Sequence, residues 1–180
     1  NKKKNLNFLD IGCGSGCISI SLLEYYKKSF GTGIDISKDA ILNTKTNLIN
    51  YSLTNRIKLL RKNIFIYKTN KKFDLIISNP PYIKLSDYIN LDLGIKKYEP
   101  KEAFIGDNKE GLKFYKEIIK KFRNNIKLNG YLAFEIGDNQ FMQINKLLIS
   151  NGFIVISKYK LINNQIRCLL AKKVKNYTLQ

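Results

Sequence analysis

The apolar residues of this chain fall into short runs without period, each closed by a polar or glycine-rich turn and followed by a longer segment of helical spacing. Residues 6–11, 31–36, 57–60 and 73–78 read as buried strands. Between the first two, Ile18, Ile20, Leu22, Leu23 and Tyr26 suit a buried helix over 17–28. Ser37 is placed to cap a helix over 38–51. Strands alternating with helices predict a parallel sheet joined by right-handed crossovers. Residues 83–110 carry no clear period and hold Pro100, which reads as a long functional or mobile loop. Beyond it, Ile118, Ile119 and Phe122 mark one face of a helix over 112–122, and Asn129-Gly130 reads as a turn into a strand over 131–136. A helix over 140–150 stops at Asn151-Gly152, and 153–159 with 166–172 read as a closing antiparallel pair. The sum is an α/β chain with a seven-stranded, mostly parallel sheet.

The fourth strand ends abruptly in Ser78-Asn79-Pro80-Pro81-Tyr82. Neither proline donates a ladder hydrogen bond, so the sheet stops there and both carbonyls are left to accept. The carboxyl edge of an open α/β sheet is where ligands bind. A planar group bearing NH2 would donate one hydrogen to the Asn79 side-chain oxygen and one to the Pro80 carbonyl, with Tyr82 against its face. The bland alternative is a proline-terminated strand with a buried tyrosine.

The first strand runs into Gly12-Cys13-Gly14-Ser15-Gly16. Glycines at a strand-to-helix turn let backbone approach a ligand closely, and the helix amino end offers N–H groups. The spacing is not that of a dinucleotide or phosphate loop. Asp35, at the end of the second strand, is placed to accept from ribose hydroxyls, as an acid about 20 residues on does in such folds; its alternative is an ordinary helix-capping role. Asn63, after the third strand, lies where an adenine amino group would be read, with Ile64 or Phe65 to pack on the ring. Together these residues and the Asn79 turn suggest S-adenosylmethionine rather than a nicotinamide dinucleotide.

With Tyr98-Glu99-Pro100 followed by Ala103, Gly111-Leu112-Lys113-Phe114-Tyr115 and Glu135-Ile136-Gly137 added, the chain resembles the catalytic domain of the release factor glutamine methyltransferases from Leu9 to about Lys172. The resemblance implies a three-layer Rossmann-like methyltransferase fold with a C-terminal antiparallel hairpin. It implies methyl transfer from S-adenosylmethionine to the glutamine amide of the Gly-Gly-Gln tip of peptide-chain release factors, the release factor being the protein partner. Asn79, Pro80 and Tyr82 are then catalytic, and Asn79 to Tyr82, Pro81 included, contact substrate. Gly12, Cys13, Gly14, Ser15, Gly16, Asp35, Asn63, Ile64 and Asn79 hold the cofactor. Glu99 orders its loop or contacts substrate, or is merely a surface acid. The family's last hairpin carries a glycine and an acid before its arginine, where this chain has Asn163-Asn164-Gln165-Ile166-Arg167.

Composition changes this picture in three places. With 32 Lys+Arg against 14 Asp+Glu the net charge is +18, which fits an RNA or ribosomal partner and equally fits compositional drift in a Lys-, Asn- and Ile-rich chain. An adenine-N6 methyltransferase on DNA or RNA and a non-catalytic RNA-binding domain of the same fold are therefore the rival readings. The absence of histidine excludes a serine triad, a histidine base and a His-ligated metal, and three cysteines, irregularly spaced, frame neither disulfides nor zinc. No run is long enough to cross a bilayer. We expect one monomeric domain over 1–175 with a short tail, no metal, and a reducing compartment, cytoplasm or organellar matrix. The start at Asn1 rather than Met points to a piece of a longer protein.

Overall fold

A computed structural model describes residues 5–84, 88, 105–107 and 110–175. The chain forms two compact units, one of residues 1–79 with 124–133, the other of 80–123 with 134–180. The first unit opens with β1 (Asn7–Ile11), α1 (Cys17–Tyr25), β2 (Phe30–Asp35), α2 (Lys38–Asn50), β3 (Ile57–Arg61) and β4 (Phe73–Ser78). In the second lie β5 (Ile83–Lys84), β6 (Ile105–Asp107), α3 (Lys113–Phe122), α4 (Phe141–Ile149), β8 (Phe153–Lys160) and β9 (Ile166–Lys173). β7 (Ile126–Glu135) is the remaining strand.

The main sheet has seven strands in the order β3-β2-β1-β4-β7-β9-β8, with β1 parallel to β2 and β4, β2 parallel to β3, and β8 antiparallel to β9. This is the expected sheet with its expected closing hairpin. In the first unit, Phe8, Leu9, Leu23, Ile34, Leu48, Phe73 and Ile76 form the core. Strands buried on both faces explain why these runs carry no period. Ser37 caps α2 as read, its Oγ accepting from Ala40 N at 3.2 Å. In the second unit Tyr115, Ile118, Phe122, Phe134, Ile144, Leu148 and Phe153 are buried, Tyr115 meeting Phe134 edge to face.

Two expectations need correction. Asn129-Gly130 does not start the fifth long strand: β7 begins at Ile126 and runs through the pair, with Asn129 at φ 61°. A left-handed residue kinks the strand without ending it, because Asn tolerates that conformation. The stretch 83–110 is also not all loop, since β5 and β6 pair in parallel as a two-stranded sheet. Glu99, Pro100, Tyr98 and Ala103 lie outside the described residues.

Candidate active site

Parallel register places four strand ends of the first unit side by side. Ile11 pairs with Ile34 and with Ser78, and Asp35 pairs with Arg61. The glycine turn, Asp35, Asn63 and Asn79 therefore share one carboxyl edge, at adjacent strands. Ser78 locks the β1 and β4 ends together, its buried Oγ donating to Ile11 O at 2.7 Å. Asn79, which is exposed, and Gly12 follow directly on these two bonded residues.

Within the turn, Gly12 and Gly14 have φ of 70° and 56°, a region that L side chains avoid, and a Cβ on either would meet no atom of the described residues within 4 Å. Glycine is needed here for backbone shape, and open space lies in front of it. Gly12 N and Cys13 N donate to Ile34 O, Gly16 N to Cys13 O, and Gly14 N to Asp35 Oδ2. These turn N–H groups are thus engaged inside the fold, so the turn itself offers close approach rather than the anion cradle of a phosphate loop. The Cys13 side chain also points inward. Its thiol, 3.7 Å from Thr44 Oγ1, is pushed up to about 12, first by burial and then by Asp10. From α2, Thr44 Oγ1 donates to Gly14 O at 2.7 Å and Asn47 Nδ2 to Ser15 O at 2.9 Å.

Asp35 is half-buried, and its two oxygens accept from Gly14 N at 3.0 Å and Ser37 N at 2.9 Å. The capping role and the ligand role are compatible, because a carboxylate has about four acceptor sites and two remain. Asn63 turns its Oδ1 back onto Phe65 N at 2.9 Å, and Ile64 is buried, with half-buried Phe65 beside it. Asp10 had no role in the sequence reading. It is fully buried, takes Ser19 Oγ at 2.6 Å on Oδ2, and leaves Oδ1 as the buried side-chain atom without a partner among the described residues. Burial, and secondarily the Asp35 charge, raises its carboxyl to about 6.

In the second unit Pro80 is buried, while Pro81 and Tyr82 are half-buried. Tyr82 is held by residues far away in sequence. Arg167 Nη2 donates to its hydroxyl and sits 2.9 Å from Glu135 Oε1, with the guanidinium carbon 5.0 Å from the ring centroid. The Tyr82 hydroxyl lies 3.5 Å from Glu135 Oε1. Burial lifts its phenol above the ordinary range, the Arg167 charge opposing the rise. Buried Gln140 fastens the backbone: Nε2 donates to Tyr82 O at 3.0 Å and Glu110 O at 2.9 Å, and Oε1 accepts from Gly137 N at 3.0 Å. A Cβ on Gly111 would come 2.1 Å from Tyr82 O, and one on Gly137 would come 2.8 Å from Tyr82 Cδ2. Tyr115 donates to Glu135 O at 3.0 Å. The sequence motifs around Gly111, Tyr115 and Glu135-Gly137 thus converge on Tyr82. Gln140 and Arg167 complete the arrangement and carried no sequence signal that assigned them to it.

A seven-stranded sheet of this order, closed by an antiparallel hairpin, defines the Rossmann-like methyltransferase class. Residues 1–92 match the family described as Methyltransferase small domain, and the chain belongs to it. Among similar proteins, a release factor glutamine methyltransferase of Fusobacterium nucleatum is 44% identical over 93% of this chain and 47% of its own length. A bifunctional methyltransferase of Rickettsia bellii is 38% identical over 86% of this chain and 28% of its own length. The chain spans about half or less of these two relatives. A solved methyltransferase from Pyrococcus furiosus has the same fold, with a TM-score of 0.71 at 16% identity over 97% of this chain and 78% of that one.

Proposed function

We propose that this chain is the catalytic part of an S-adenosylmethionine-dependent methyltransferase acting on the side-chain amide nitrogen of the glutamine in the Gly-Gly-Gln tip of a peptide-chain release factor. The observation that carries the reading is the Ser78–Ile11 bond, which joins the two strand ends that lead into the Asn79 turn and the glycine turn. The first unit fits the cofactor on its own geometry. Space faces Gly12 and Gly14, and the Asp35 carboxylate is oriented by two backbone donors with acceptor capacity to spare for ribose hydroxyls. A turn whose own N–H groups are largely engaged suits a ligand without phosphates. S-adenosylmethionine supplies an electrophilic methyl group on a sulfonium.

An amide nitrogen is a poor nucleophile, since its lone pair is delocalised into the carbonyl. The protein's contribution is therefore position and electrostatics. Asn79 Oδ1 and Pro80 O each accept one amide hydrogen, which fixes the nitrogen and raises its electron density. Tyr82 packs on the amide plane and favours the positive charge that arrives with the methyl group, by about 0.5–2 kcal/mol. No strong base is required beforehand, because the proton becomes acidic once the nitrogen is methylated. The names of the Fusobacterium and Clostridium botulinum relatives support the release factor as substrate.

Asn79→Ala tests this. Cofactor affinity by calorimetry is expected to stay within a few-fold, while single-turnover methylation of a release factor falls by about a hundredfold or more, as when an oriented polar contact is lost from a transition state. Wild-type rates in this variant would remove Asn79 from the chemistry. Methylation of adenine in an oligonucleotide, with none on a release factor, would replace the substrate.

A further inference from the structure

Tyr82 is the one aromatic residue of the Asn-Pro-Pro-Tyr turn, and what surrounds it is more elaborate than packing requires. A half-buried ring on a turn has two soft side-chain torsions, and nothing in the turn itself fixes the ring plane. Here two charged residues hold the ring, whose Cδ2 also lies close against Gly137. Arg167, from the start of β9, donates to the hydroxyl and holds its guanidinium within cation–π range of the ring centroid. Glu135, at the end of β7, pairs with that guanidinium at 2.9 Å and faces the tyrosine hydroxyl at 3.5 Å. Glu135 is itself steadied through its backbone carbonyl, which takes the Tyr115 hydroxyl at 3.0 Å.

We propose that Arg167 and Glu135 are positioning residues for methyl transfer, acting through Tyr82. They fix the ring plane, occupy one side of it, and leave the other face for the planar NH2-bearing group of the substrate. The pairing matters as much as the orientation. A lone guanidinium behind the ring would repel the positive charge that reaches the substrate nitrogen with the methyl group. Glu135 cancels that charge while leaving the hydrogen bond to Tyr82 in place. This inference rests on the methyltransferase reading of the Asn79 turn, but not on which planar amino group is the substrate.

The test is a double-mutant cycle between Arg167 and Tyr82. Arg167→Met is expected to lower kcat by about ten- to a hundredfold, the scale of a small misplacement, with KM for the release factor and cofactor affinity within threefold. Arg167→Lys, which keeps the charge opposite Glu135 and one donor, recovers part of the loss and guards against a folding artefact. In a Tyr82→Ala background, Arg167→Met costs no further activity, because the group it acts through is gone. The same tenfold loss in that background would overturn the proposal. A second readout does not depend on turnover: with ring-labelled tyrosine, the Tyr82 resonances, assigned through Tyr82→Phe, shift in Arg167→Met and move part of the way back in Arg167→Lys. Tyr82 resonances unchanged by Arg167→Met would also overturn it. If the wild type methylates adenine and not a release factor, the substrate assignment falls, and the same cycle run on the adenine substrate decides the clamp.

Discussion

Asp10 makes the clearest residue-scale prediction. Its carboxyl titrates near 3.8 when solvated and near 6 in the fold, because burial outweighs the Ser19 hydrogen bond. Between those values the folded state binds more protons than the unfolded state. Stability therefore falls as pH rises from about 4 to about 6 and is flat beyond, by roughly 3 kcal/mol in all. Asp10→Asn keeps an acceptor for Ser19 and cannot ionise. The difference between wild type and variant in urea unfolding is expected to grow across that window in favour of the variant, and then level off. Parallel curves from pH 4 to 7 would show that Asp10 does not ionise with this penalty. Asp10 stands two residues before the glycine turn, with an oxygen that has no partner among the described residues.

At the scale of elements, α2 is the buttress of the glycine turn, and this follows from two of its residues rather than from its length. Thr44 is buried and donates to Gly14 O, and Asn47 reaches Ser15 O. Thr44→Val keeps the shape and leaves the Gly14 carbonyl without its donor, at a cost of about 1–3 kcal/mol where the group stays buried. Melting temperature is expected to drop by a few degrees and S-adenosylmethionine affinity, by calorimetry, by about tenfold. Undiminished affinity would mean that the turn keeps its shape without α2. The strands of this unit were legible because each is an apolar run with a chemically decisive stop, β4 ending at the prolines where it was read and α2 starting at its Ser37 cap. The kink at Asn129 was not legible, since Asn-Gly signals a left-handed residue but not whether pairing continues past it. Nor were β5 and β6, two short pieces whose pairing joins residues over 20 apart in sequence. The Tyr82 surroundings fail for the same reason: Gln140 and Arg167 lie 58 and 85 residues from it, and an isolated Gln or Arg looks like a surface residue. The adjacency of the glycine turn, Asp35 and the Asn79 turn was legible because each follows directly on a strand end, one motif per strand.

At the scale of the whole molecule the charge of +18 is the property that a function must accommodate. Several basic side chains serve the fold. Arg56 donates to Tyr26 O and Ser29 O beyond the end of α1, Arg61 to Ile36 O, Lys72 to Asn124 O and Lys173 to Arg123 O. Others pair with acids, as in Lys27–Glu24 and Lys127–Asp74. A basic residue drawn into such a contact still adds to the long-range field, but its head group is less available to a phosphate. A diffuse positive field without a matched groove gives weak, sequence-blind attraction that salt removes, because nearly all of its free energy is counterion release. We expect a fluorescent single-stranded RNA to bind at 50 mM salt with no preference among sequences and to lose at least a hundredfold in affinity by 300 mM. Over the same range kcat/KM for release factor methylation should fall by no more than about tenfold, since a protein substrate recognised through a neutral amide depends on salt only through encounter. Anisotropy titrations and initial rates on one preparation measure both. RNA binding that survives 300 mM salt and favours one sequence would give the charge a specific partner, and would make a nucleic-acid substrate the better account of the Asn79 turn.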